Sequence, residues 1–127
     1  MIRIGTVLAL SFGIASPLAA MDLAVPSGQN LEFVDRVVEP DVTRFRFLAP
    51  EIDPVSGGLG YADVAEDFGI LCQGVALPDV RAMDEMPKQI VISMMSAQTP
   101  FGEANPQVTQ FFEVFSVQND ACIWEQF

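Results

Sequence analysis

The chain has 127 residues, six of them basic, seventeen acidic and none histidine, for a formal net charge of −11. A field of that sign repels nucleic acid and anionic lipid, and favours solubility or a basic partner. Without histidine there is no Ser-His-Asp triad, no Cys-His pair and no imidazole to serve as base or metal ligand.

Residues 1–20 have the pattern of an export signal peptide. Arg3 precedes an apolar run over residues 4–14, Ala15-Ser16-Pro17 breaks it, and Leu18-Ala19-Ala20 offers a cleavage motif. The run is short of the roughly 20 residues a bilayer span needs, and no stop-transfer segment follows. No cysteine lies near the cleavage motif, so no lipid anchor is expected there. The expectation is a single domain over residues 21–127, periplasmic or secreted, with no membrane insertion after cleavage. Loss of Arg3 leaves five basic residues against seventeen acidic ones, or −12.

Residues 21–30 (MDLAVPSGQN) read as a polar lead-in without regular structure. Residues 31–38 (LEFVDRVV) predict a strand, Glu39-Pro40-Asp41 a turn, and residues 43–49 (TRFRFLA) a second strand. In the latter, Phe45 and Phe47 share a core face, and Arg44 and Arg46 alternate with them as a wet one. A Pro- and Gly-rich loop follows over residues 50–60. From Tyr61 the period becomes helical, with Val64, Phe68, Leu71 and Cys72 on one face and Gly74 as the expected stop. Residues 75–86 are ambiguous between an edge strand and a bend. Residues 88–96 (KQIVISMMS) are the strongest strand signal, and Ile90-Val91-Ile92 in succession predicts cover on both faces. An irregular loop over residues 97–106 leads to a strand at 108–117, a turn at Gln118-Asn119-Asp120, and a last strand from Ala121. The order predicts an α+β fold, an antiparallel sheet of four to six strands with one main helix on one face. A half-open barrel around the helix is the rival.

The two cysteines, Cys72 at the helix end and Cys122 in the last strand, are expected to pair as a disulfide closing a loop of 50 residues. The C-x-x-C spacing of a redox site is absent. Pairing would also remove the only thiol nucleophiles.

Four strings, RFRFLAP from Arg44, KQIVIS from Lys88, FGEANPQVTQFFEVF from Phe101 and ACIWE from Ala121, resemble a family of small exported alphaproteobacterial proteins of unknown function. The resemblance covers most of the mature chain and implies periplasmic residence and a shared fold. It implies no residue roles.

What chemistry remains is carboxylate chemistry. Asp63, Glu66 and Asp67 share a helical side and, with Asp53 or Glu51 from the preceding loop, could hold a hard cation such as calcium. No calcium-loop framework is present, and acids on an acidic surface need no explanation. Asp79, Asp84 and Glu85 form a second group with the same weak case. The run Ser56-Gly57-Gly58-Leu59-Gly60 precedes a helix but lacks the lysine and hydroxyl of a phosphate loop, so loop flexibility is its reading. Lys88, the one lysine, points to the opposite strand face from Ser93. No cofactor is called for. Phe112 and Val114 point away from Phe111 and Phe115, so both faces of that strand are partly apolar; one can meet the helix. The other needs a loop, a partner or a ligand, with Met95 as a further contact. The expected function is a non-enzymatic periplasmic binding or accessory domain for a protein or small ligand. The alternative is a hydrolase or lyase using carboxylates or a divalent ion.

Overall fold

A computed structural model describes residues 23–84 and 86–126; the leader read over residues 1–20 lies outside them. Five strands lie side by side in chain order: β1 (Glu32–Glu39), β2 (Val42–Leu48), β3 (Gln89–Met95), β4 (Gln110–Gln118) and β5 (Ala121–Trp124). The β1–β2 turn has two residues. Pro40 holds its own φ negative, Asp41 takes φ 65°, and Glu39 pairs with Val42. The β4–β5 turn is Asn119-Asp120, with φ 51° and 60°, whose twist suits antiparallel strands.

Between β2 and β3 the chain builds its helical layer. A 3-10 turn (Pro50–Ile52) leads to α1 (Tyr61–Leu71), a π-helical turn (Cys72–Ala76) and α2 (Leu77–Arg81). This connection crosses one face of the sheet, so β3 returns parallel to β2 while the other three neighbouring pairs are antiparallel. The α+β class, the strand count and the one-sided helical layer are as expected; the parallel central pair is the departure.

Gly74 does not stop the helix. Leu71 to Val75, and Cys72 to Ala76 to Val80, continue the i, i+4 stripe, and all five side chains are buried. The extra residue of the π-helical turn carries the chain past Gly74, and Pro78 falls in the first turn of α2, where its missing N–H is tolerated. Residues 77–81, read as strand or bend, are therefore helix.

Phe45, Phe47, Ile90, Ile92 and Met94 from the central strands meet Val64, Phe68, Leu71, Leu77 and Val80 from the helices. Each of these side chains is fully buried, a burial worth roughly 1.5–3 kcal/mol apiece for the large aliphatics and phenylalanines. Asp67 enters this layer too. It accepts hydrogen bonds from Ser27 N (2.9 Å), the Ser27 hydroxyl and Gln29 Nε2 (2.8 Å), and so fastens the lead-in to α1.

Candidate functional site

Among the described residues, no helix lies over the opposite face of the sheet. Pairing register sets its rows: Asp35, Arg46, Ser93 and Phe112 across four strands, then Val37, Arg44, Val91 and Val114. On β5, Ile123 stands next to Ser116 on the same side.

One half of this face is covered by the loop over residues 96–109. Its neck closes through Ser96 N to Thr109 O and Thr109 N to Ser96 Oγ, both 2.9 Å. Its first half lies down on two arginines. Arg46 donates to Thr99 O and, at 2.8 Å, to Asp35 Oδ2. The Phe101 ring covers both guanidinium groups, with centroid distances of 5.5 Å to Arg44 and 5.9 Å to Arg46. Arg46 is thus only 7% exposed. The wet strand face expected for Arg44 and Arg46 is corrected here in part: the loop buries Arg46 and leaves Arg44 half-buried, and Met95 on the same face is 3% exposed. Of the three residues expected to form a recognition surface, Met95 has no free surface.

The other half of the face is left open by the described residues. Phe112 is 63% exposed and Ile123 43%, with half-buried Val114 between them. Between the loop and Phe112 runs a cleft of about 220 Å³, lined by Arg44, Arg46, Ser93, Phe101, Glu103 and Phe112 among others.

The acids read as metal ligands have separate tasks. Asp53 accepts from Val55 N (3.1 Å), Ser56 N (2.9 Å) and Ser56 Oγ (3.1 Å), and the Ser56 bonds, the backbone one foremost, hold its carboxyl below the usual range. Asp63 accepts from Gly60 N at 2.8 Å and closes the first turn of α1. Asp67 is the buried anchor of the lead-in, and Glu66 is exposed. Glu51 accepts from Asn30 N. No group of three or more His, Cys, Asp or Glu that could hold a metal ion occurs among the described residues. Cys72 and Cys122 are joined as a disulfide between the helical layer and β5.

A family model described as a family of unknown function (DUF6497) matches residues 9–127. The chain belongs to DUF6497. No curated protein and no solved structure matches it.

Sequence reasoning misses two features of this DUF6497 protein. Glu113 lies on the helix side of β4, where both its oxygens are taken, by the Tyr61 hydroxyl and by Trp124 Nε1 (2.7 Å). Its parity with Phe111 and Phe115 places a charge on a core face and is a readable signal; its partners, far off in sequence, are not. Asp67 is readable in the same way, since it falls three residues after Val64 and four before Leu71 on the buried stripe.

Proposed function

We propose that this protein is an exported, non-enzymatic binding or accessory domain that works through the open half of its sheet. The observation that carries this is Phe112, 63% exposed on β4, with half-buried Val114 next along the same face and Ile123, opposite Ser116, beyond it. Single exposed apolar side chains are ordinary, but adjacent ones on a regular surface form a patch a partner can cover. Covering the phenylalanine alone contributes on the order of 1.5–3 kcal/mol. The neighbouring loop is fixed by Arg46 and Phe101 rather than by this patch, so the patch is not the loop's own seat.

Two observations support a place outside the cytoplasm, periplasmic or secreted. Residues 1–20 carry the signal-peptide pattern, and the Cys72–Cys122 disulfide is of the kind that persists in oxidising compartments. No helix among the described residues is long and apolar enough to cross a membrane.

The test is site-specific photo-crosslinking in the native host. A crosslinker at position 112 should give a discrete adduct, and one at position 70, exposed on α1, should not. The adducted partner, once purified, should bind the wild-type protein in calorimetry and bind Phe112→Ser at least tenfold more weakly. Equal adducts from both positions, or none from 112, would sink the proposal.

A further inference from the structure

Charge decides what kind of partner the open face fits. All five basic side chains among the described residues are already paired: Arg36 with Asp79, Arg44 with Glu39, Arg46 with Asp35, Arg81 with Asp120 and Lys88 with Asp41. An anionic ligand in the cleft would meet guanidinium charges already balanced by Glu39 and Asp35, and Arg46 is held further by Thr99 O, so little net positive charge is left to attract it. The carboxylates bordering the apolar patch have no such counter-charge. Glu103 stands in the cleft beside Phe112, and Glu125 follows β5 next to Val114, with its N–H on Val114 O at 2.9 Å. Gln89 Nε2 touches Glu125 at 3.3 Å, and no cation among the described residues lies within ion-pair distance of either acid.

We infer that the open face docks a basic polypeptide segment, which sets apolar side chains on Phe112, Val114 and Ile123 and lysine or arginine against Glu103 and Glu125. This rests on the reading of the face proposed above and adds the chemistry of its occupant. The cleft, at about 220 Å³, falls below the roughly 300 Å³ at which small-molecule pockets begin, so a protein surface fits better than an enclosed ligand. A second copy of this chain would bring the same negative field to the contact and be repelled. A basic segment is drawn in by that field and held by the bordering acids.

Fluorescence anisotropy with labelled synthetic peptides tests this. One peptide alternates lysine with leucine, and its counterpart has glutamine at every lysine. The lysine peptide should bind about tenfold tighter or more, with the advantage shrinking as salt rises. Glu103→Gln with Glu125→Gln should bring it down to the level of the glutamine peptide. Glu66→Gln with Asp84→Asn, exposed acids elsewhere, should leave it unchanged. Phe112→Ser should weaken both peptides, with melting curves confirming that each variant is folded. Equal affinity for the two peptides, both lost in Phe112→Ser, would overturn the basic partner and leave the binding face standing. An equal loss in the remote pair of variants would reduce the effect to net charge and overturn the inference. Indifference of both peptides to Phe112→Ser would take the binding face with it. Sedimentation showing a dimer abolished by Phe112→Ser would reassign the surface to a second copy.

Discussion

Glu113 is the one acid on the core side of β4, and its environment has a spectroscopic consequence. The Tyr61 hydroxyl donates to its carboxylate, and that bond, with desolvation and the nearby negative charge, pushes the phenol up to about 12. Tyr61 is the only tyrosine in the chain, so phenolate absorbance reports on it alone. A pH titration of the folded protein should show a midpoint near 12. Glu113→Gln keeps an acceptor but removes the charge, and its midpoint should fall toward the ordinary value of about 10. The raised value favours the protonated phenol in the folded state. Its contribution to stability is therefore complete below about pH 10 and is lost as pH climbs through about 12. Melting temperature should accordingly fall more steeply between those limits in the wild type than in Glu113→Gln. A wild-type midpoint near 10 would show that the contact does not persist in solution.

The loop before α1 and the helix itself use glycine for opposite reasons, and substitution separates them. A Cβ on Gly57 would overlap the backbone of Glu51, and Gly58 has φ +74°. The Gly-rich run is thus a tight turn organised by Asp53, which takes Gly57 N at 3.0 Å and Gly58 N at 2.7 Å on its carbonyl, rather than a flexible tether. Gly69, by contrast, lies inside α1, and a methyl group added there would meet nothing within 4 Å. Urea unfolding should find Gly57→Ala destabilised by roughly 1–3 kcal/mol, the cost of forcing backbone apart. Gly69→Ala should gain about 0.5–1 kcal/mol, the helix penalty of glycine. At this scale the strands over Thr43 and Ile90 and the helix from Tyr61 were legible because residue period and burial agree there. Gly74 and Pro78 misled because their local preference is outweighed by the buried stripe through Val75, Ala76 and Val80. The apolar outer face at Phe112 and Val114 was legible from alternation alone. The burial of Arg46 and Met95 was not, since it comes from an aperiodic loop whose path depends on Phe101 finding two guanidinium groups.

Across the whole molecule the sheet has two edges, and each is guarded. β1 carries Glu32, Asp35, Arg36 and Glu39 and a register shift between Phe33 and Asp35, both of which discourage pairing with a further strand. β5 is only four residues long, and Gln73 from the π-helical turn covers part of it, accepting from Cys122 N at 3.0 Å and donating to Asp120 O at 3.2 Å. The disulfide lies at this same junction and joins residues 50 apart. On the chain-entropy model, closing a loop of that length is worth about 4 kcal/mol, nearly all of it through the unfolded state. Cys72→Ala with Cys122→Ala should therefore lower the unfolding free energy by up to about 4 kcal/mol in urea. The m value should rise, because the uncrosslinked unfolded chain exposes more surface. Gln73 and the β4–β5 ladder remain in the double variant, so its far-ultraviolet circular dichroism should match the wild type. A loss under about 1 kcal/mol with an unchanged m value would mean that the unfolded chain is already confined near this junction, and that the bridge merely records the contact.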